Sequence, residues 1–247
     1  MFLGGGSVAL EMTKRLPKGT AIWVNDLYEP LYNFWVVLRD NPVELQRKLV
    51  ELKSRYPDRG NAKGLFLQAK DVINDRTKSD TDRAVAFYIA NKCSFSGLTE
   101  SSSFSAQASD SNFSMRGILK LQDYSQLIKG WKITNLDYSE LYDEEETTFI
   151  YADPPYNIKD VLYGHKGGMH KQFDHERFAD MIEKCLCQVM ISYNDHPDIV
   201  HRFDEWCLYD YEHTYTMRST GSYMKDQQKR RELICCNYGK LGGSCDR

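Results

Sequence analysis

Thr147-Thr-Phe-Ile-Tyr-Ala-Asp-Pro-Pro-Tyr156 is an apolar run that ends in an acid, two prolines and an aromatic. Thr147 to Ala152 reads as a buried strand. Asp153-Pro154-Pro155-Tyr156 then does more than make a turn. Two successive prolines fix φ at adjacent residues and remove two backbone donors, and Pro155 pushes Pro154 towards an extended conformation. The result is a stiff bracket carrying one carboxylate, one free carbonyl and one ring. In open α/β sheets ligands bind outside the C-terminal ends of the strands, so the bracket is a candidate site. The Asp153 carboxylate and the Pro154 carbonyl are both acceptors. A planar amino group with two N–H bonds satisfies both, and giving up both hydrogens localises its nitrogen lone pair. Tyr156 offers a ring on which a planar base or amide can stack.

Outward from the bracket, the chain alternates strands and helices. Phe2-Leu-Gly-Gly-Gly-Ser7 reads as a strand end, a glycine turn and the start of a helix over Val8 to Arg15. Gly4, Gly5 and Gly6 let backbone approach a ligand closely and offer amides at a helix N-terminus. Thr20 to Asp26 is a second strand ending in an acid, 20 residues after Gly6. At that spacing an acid can meet ribose hydroxyls in a nucleotide-binding unit, although Asp26 also suits the N-cap of the helix carrying Leu27, Leu31, Phe34, Trp35 and Leu38. Lys132 to Asp137 is a third strand. Asp137 can accept from an adenine amino group, and the Tyr138 backbone N–H can face the ring. Gln188 to Asn194, Cys207 to Tyr215 and Glu232 to Tyr238 complete the strands, with a helix from Phe173 to Leu186. The pattern predicts an α/β, Rossmann-like, doubly wound and mostly parallel sheet with an antiparallel last strand. The glycine turn, Asp26, Asp137 and the bracket are expected to face one crevice.

Residues 42–130 read as an inserted helical domain with a Ser-rich hairpin over Ser94 to Ser114, and residues 1–41 and 131–247 as the catalytic domain. The whole chain carries a formal charge of −3. The insertion has 14 Lys+Arg against 10 Asp+Glu, net +4, and the remainder is net −7. A basic segment on an acidic scaffold suits contact with phosphates. The loop Met217 to Arg231 adds Arg218, Lys225, Lys229, Arg230 and Arg231 against Asp226. Seven cysteines, an odd count without C-x-x-C spacing, argue against a disulfide framework and a zinc site. No apolar run approaches the ~18 residues of a membrane span, and no secretory leader opens the chain. A reduced, cytoplasmic, monomeric protein is expected, with no metal. The parts together describe a nucleoside cofactor beside a group that receives a methyl from a sulfonium in line.

These motifs resemble those of the Dam-type DNA adenine-N6 methyltransferases, the alpha-order amino-methyltransferases. Phe2-Leu-Gly-Gly-Gly-Ser-Val8 is similar to the family's cofactor motif, and Val24-Asn-Asp26 to its ribose-binding motif. Asn91-Lys-Cys-Ser-Phe-Ser-Gly-Leu98 resembles the start of its recognition hairpin. Asp153 to Tyr156 matches its catalytic motif, and Glu232 to Tyr238 resembles its closing strand. The family's further motif before the glycine strand has no counterpart, so the chain is expected to start late. Thr99-Glu100 stands where the family often has an arginine.

The resemblance implies S-adenosyl-L-methionine as cofactor and double-stranded DNA as partner, with the adenine flipped into the pocket. It implies catalytic Asp153, Pro154, Pro155 and Tyr156. Cofactor contacts would come from Phe2, Gly4, Gly5, Gly6, Ser7, Asp26, Asp137 and Tyr138. DNA contacts would come from Asn91, Lys92, Ser94, Ser96, Arg116, Arg218, Lys225, Lys229 and Arg230. Methylation of a protein glutamine, of an RNA adenine, or a truncated inactive remnant that binds DNA are the alternatives.

Overall fold

A computed structural model describes residues 1–57, 59–95, 99–141, 148–156, 173–213 and 230–239. The described residues form two compact units.

The larger unit runs over residues 3–137. Helix α1 (Ser7–Arg15) follows the glycine turn and leads to strand β1 (Ile22–Asn25). Helices α2 (Glu29–Asp40) and α3 (Pro42–Arg55) each place a proline in their first turn, where the missing N–H costs no hydrogen bond. Helix α4 (Arg59–Ile73) is followed by α5 (Asp80–Cys93). Ser79 caps α5, accepting from the Asp82 N–H at 3.1 Å and donating to its carboxylate at 2.7 Å. Three short helices follow, α6 (Ala106–Ser111), α7 (Met115–Leu119) and α8 (Leu121–Leu127), before strand β2 (Trp131–Thr134). Strands β1 and β2 pair in parallel, Ile22 with Trp131 through Asn25 with Thr134. One core joins these strands to the helices: Val24, Trp35, Leu38, Leu45, Leu49, Phe66, Phe87 and Ile133 belong to a single buried cluster.

In that core Leu3 of the glycine turn and Val24 of β1 pack with the helical segment. Leu45 and Leu49 of the predicted stripe are fully buried, while Leu52 is half-buried. Among the described residues the Ser-rich stretch holds a short antiparallel contact. Ser94 bridges Phe104, the Phe95 N–H reaches Ser103 O at 3.0 Å, and the Ser105 N–H reaches Cys93 O at 2.9 Å. Residues 96–98 of the expected hairpin lie outside the described residues. Beyond it the serines serve as helix caps: Ser105 accepts from the Ala108 N–H and Ser114 from the Gly117 N–H, both at 3.2 Å.

The smaller unit holds residues 1–2 and the described part of 138–239. Strand β3 (Phe149–Ala152) pairs in parallel with β4 (Gln188–Asn194). Strand β6 (Arg230–Cys236) is antiparallel to both β4 and β5 (Cys207–His213), giving the order β3-β4-β6-β5. The expected antiparallel last strand is therefore present. Helix α9 (His175–Ile182) starts under an Asp174 cap, and α10 (Pro197–Arg202) is an element the sequence reading did not name. The described strands form a two-stranded parallel ladder and a four-stranded mixed sheet. The alternation along β4 and β6 sorts the sheet faces. Ile150, Ala152, Val189, Ile191, Tyr193, Leu233 and Cys235 are buried in one cluster with Phe178 and Ile182 of α9. The other face mixes Met190, Ile234 and Cys236 with Tyr151, Ser192, Asn194 and Glu232.

Among the described residues no helix is long and apolar enough to cross a membrane, and no cysteine is paired. Cys245 and the loop 157–172 lie outside the described residues.

Candidate active site

In the larger unit the glycine turn is built by backbone bonds. The Leu3 N–H reaches Asn25 O, and the Gly6 N–H closes back on Leu3 O, both at 2.9 Å. Gly4 and Gly6 hold φ of +50° and +72°, the left-handed region that side chains disfavour. A Cβ on Gly6 would lie 2.6 Å from Trp35 Cζ2, whereas one on Gly4 or Gly5 would meet nothing within 4 Å. The indole N–H of Trp35 donates to Gly4 O at 3.2 Å, so the turn rests on a buried tryptophan. No side chain caps the start of α1, where Ser7 is exposed.

Asp26 lies one residue beyond β1. Its Oδ2 accepts from the Gly4 N–H at 2.8 Å and its Oδ1 from the Tyr28 N–H at 2.9 Å. Burial pushes the Asp26 carboxyl above the usual carboxylate range, while these amide bonds favour its ionised form. Each oxygen keeps a lone pair for a further donor. The Asn25 side chain, 4% exposed, ties β1 to the chain after β2. Its Oδ1 accepts from the Leu136 N–H at 2.9 Å and from Thr134 Oγ1 at 2.8 Å, and its Nδ2 donates to Leu136 O at 3.0 Å. This clamp ends β2 at Thr134. Asp137 is thus half-buried in a connection, three residues past the strand expected to carry it.

In the smaller unit Asp153 follows β3 directly. The β3–β4 ladder ends with Ala152 opposite Ile191, so Asp153 is the first residue past the paired strand. Tyr156 Oη and Ser192 Oγ are 3.3 Å apart, which holds the ring beside β4. Pro154 is buried. Protein crowding desolvates the Asp153 carboxyl and, with the Glu232 carboxylate adding to it, pushes its pKa up to about 6, against a downward pull from the Met1 amino group. Asp153 is an exposed residue, and solvent tempers this push. Glu232 is itself 6% exposed and accepts from the Tyr211 hydroxyl at 2.5 Å.

Sequence reasoning did not single out Glu232. The available signal was an acid opening the apolar run Leu233-Ile-Cys-Cys236.

Phe2 and Tyr138 enter an aromatic cluster with Phe173 and Phe178. Ring centroids lie 6.0 Å apart for Phe2–Tyr138, 5.7 Å for Phe2–Phe173 and 5.5 Å for Tyr138–Phe178. The Arg177 guanidinium stands 5.4 Å from the Tyr138 ring centre and donates to Ser139 Oγ at 2.8 Å.

The expected DNA contacts fare unevenly. Ser96, Arg218, Lys225 and Lys229 lie outside the described residues, and of Arg230 only the backbone is described. Arg116 is exposed on α7. Lys92 is half-buried over the Tyr88 ring at 5.7 Å, and burial holds its ammonium below the usual lysine range. Asn91 is half-buried and accepts, through its backbone carbonyl, the Ser94 hydroxyl at 3.1 Å, with Ser94 only 1% exposed. Thr99, which opens the turn Thr99–Ser101, has φ +51° and is buried. A β-branched residue there is an outlier. Tyr28 Oη lies 3.2 Å from Thr99 Oγ1 and donates to Glu100 Oε2.

No curated protein matches the chain. A family model, described as D12 class N6 adenine-specific DNA methyltransferase, matches residues 1–217. The chain therefore belongs to the D12 class of N6 adenine-specific DNA methyltransferases, a family of enzymes that methylate adenine in DNA.

Proposed function

We propose that this protein transfers a methyl group from S-adenosyl-L-methionine to the exocyclic N6 of an adenine flipped out of double-stranded DNA. The observation that carries the reading is the bracket. Asp153 and Pro154 stand at the C-terminal end of β3, with Tyr156 beside β4. Asp153 and the Pro154 carbonyl accept the two N6 hydrogens, and Tyr156 stacks on the ring. The glycine turn fits the cofactor: space is open above Gly4 and Gly5, α1 starts without a cap, and Asp26 keeps lone pairs for ribose hydroxyls. S-adenosyl-L-methionine supplies an activated methyl on a sulfonium. Phe2, Ser7, Asp137 and Tyr138 are read as further cofactor contacts.

Residues 1–41 and 131–247 are read as a Rossmann-like catalytic domain and 42–130 as the target-recognition domain. Asn91, Lys92, Ser94, Ser96, Arg116 and the basic loop of Arg218, Lys225, Lys229 and Arg230 are assigned to DNA. A cytoplasmic monomer is part of the same reading.

Incubation with methyl-labelled S-adenosyl-L-methionine and unmethylated genomic DNA, followed by nucleoside analysis, tests it. Label is expected in N6-methyladenine. Label in 4-methylcytosine, or in protein alone, overturns the reading.

A further inference from the structure

We propose that Ser192 is a positioning residue for the methyl transfer: its buried hydroxyl pins the phenol of Tyr156 and so sets the plane of the ring on which the target base stacks. The inference rests on the reading of Tyr156 as the stacking platform of the bracket.

Ser192 is a polar group in an apolar setting. Its chain neighbours Ile191 and Tyr193 are fully buried, it is itself 5% exposed, and it stands opposite Ile234 of β6. A hydroxyl taken out of water is costly unless it is bonded. The phenol of Tyr156 meets that need, with Oη 3.3 Å from Ser192 Oγ.

The place of the ring follows from where β3 stops. Strand β4 runs to Asn194, so Ser192, Tyr193 and Asn194 extend past the last β3–β4 pair, Ala152 with Ile191. Tyr156 lies along this overhang. Its hydroxyl is on Ser192, and its ring centre is 6.3 Å from that of Tyr193, with the planes 39° apart.

Pro154 and Pro155 restrict the backbone up to the residue before Tyr156. They leave its χ1 and χ2 free, and an unrestrained side chain samples several rotamers. The bond at Oη holds the far end of the ring while the backbone holds the near end, which selects among the χ1 rotamers. Contact with Tyr193 limits rotation about the axis that remains. Tyr156 is half-buried, so part of the ring stays open to a base.

The consequence is geometric. A base stacked on this ring carries its amino group at a height that the ring sets, while Asp153 and the Pro154 carbonyl are set by the backbone. A ring that swings moves N6 off both acceptors and out of line with the methyl group. Loss of alignment costs rate more than it costs binding.

The test is a double-mutant cycle on the full chain. It is read by single-turnover formation of N6-methyladenine in unmethylated genomic DNA at saturating S-adenosyl-L-methionine. Ser192→Ala removes one half of the tether and Tyr156→Phe the other. Each should lower the rate at saturating DNA about threefold to tenfold, with DNA affinity within about twofold of wild type. The double variant should be no slower than either single variant, because all three lack the same bond. The 13Cζ resonance of Tyr156, assigned by its loss in Tyr156→Phe, is a readout without turnover and should move in Ser192→Ala.

Ser192→Ala at the wild-type rate overturns the proposal, as does a double variant whose loss is the product of the two single losses. An unmoved Tyr156 resonance overturns the tether. Should Ser192→Ala not fold, Ser192→Cys fills nearly the same space with a weaker hydrogen-bonding group. It should lose rate in the same way, and the wild-type rate in that variant overturns the proposal. A wild-type protein that makes no N6-methyladenine overturns the reading of Tyr156 in catalysis instead, while the tether still stands or falls by the resonance.

Discussion

Alanine at each glycine of the turn separates steric from conformational cost. Gly5 has ordinary φ and open space above it, Gly4 has φ +50° and open space, and Gly6 has φ +72° with Trp35 at 2.6 and 2.8 Å from a new Cβ. A side chain in the left-handed region costs about 1–2 kcal/mol. Removing glycine from the unfolded chain returns about 0.4–1 kcal/mol. Overpacking against the buried Trp35 ring adds about 1–3 kcal/mol. Trp35 cannot swing away, being 5% exposed, bonded to Gly4 O and in ring contact with Trp131 at 5.7 Å. The expected losses are roughly 3 kcal/mol for Gly6→Ala, below about 1 kcal/mol for Gly4→Ala, and about zero or a slight gain for Gly5→Ala.

Urea unfolding measures these losses, and calorimetric titration with S-adenosyl-L-methionine supplies the second axis. Gly5→Ala should bind the cofactor at least about tenfold more weakly while unfolding like wild type, because its Cβ enters the space assigned to the ligand. If Gly6→Ala unfolds at the same urea concentration as Gly5→Ala, the Trp35 contact does not constrain the turn and the reasoning fails.

Three further outcomes are expected. Asp153→Asn should raise the melting temperature relative to wild type at pH 8 and lose that advantage near pH 4: the folded-state pKa of about 6 lies above the ordinary 3.8, so the native protein's hold on this proton stabilises it fully below about 4 and is lost as pH rises through about 6. An equal gain at both pH values would contradict the crowding of that carboxyl. Arg83→Leu should cost about 3 kcal/mol by urea unfolding, because Arg83 is 3% exposed, pairs with Glu29 and donates to Ile73 O at 3.1 Å; a loss below about 1 kcal/mol would mean that Arg76 alone satisfies Glu29. Asp26→Asn should weaken S-adenosyl-L-methionine binding at least about tenfold by calorimetry, since an amide can no longer accept at both oxygens from Gly4 and Tyr28 and from a ribose; unchanged affinity removes Asp26 from the cofactor site.

The parts legible in the sequence are those whose physics is local. Two prolines restrict the backbone wherever they stand, so the bracket after β3 could be read from four residues. The strand Gln188 to Asn194 was recovered to the residue because apolar alternation and length agree there. Contacts that depend on distant register were hidden. Asn25 looks like a strand-end polar residue, yet it turns inward and stops β2 at Thr134, which is why Asp137 falls in a connection. The surroundings of Glu232 come only from pairing with Asn194 and Tyr211, 38 and 21 positions away in the chain. Trp35 looks like any core residue of an amphipathic helix, and nothing in its spacing announces a glycine turn 29 residues earlier. The capping role of Ser105 and Ser114 was hidden for a related reason. Composition alone cannot separate a polar hairpin from two helix caps, because the same hydroxyl serves both.

The tryptophan under the glycine turn also makes the protein its own optical probe. The chain has four tryptophans, and Trp35 is held with its indole N–H on the carbonyl of Gly4 and its ring against Trp131. Any molecule that seats on the turn changes the field at that indole. Emission should then shift in colour and intensity on ligand addition, so that occupancy can be followed in real time without a label. With Trp35→Phe as the silent reference, stopped-flow mixing would resolve how fast the turn is entered and left.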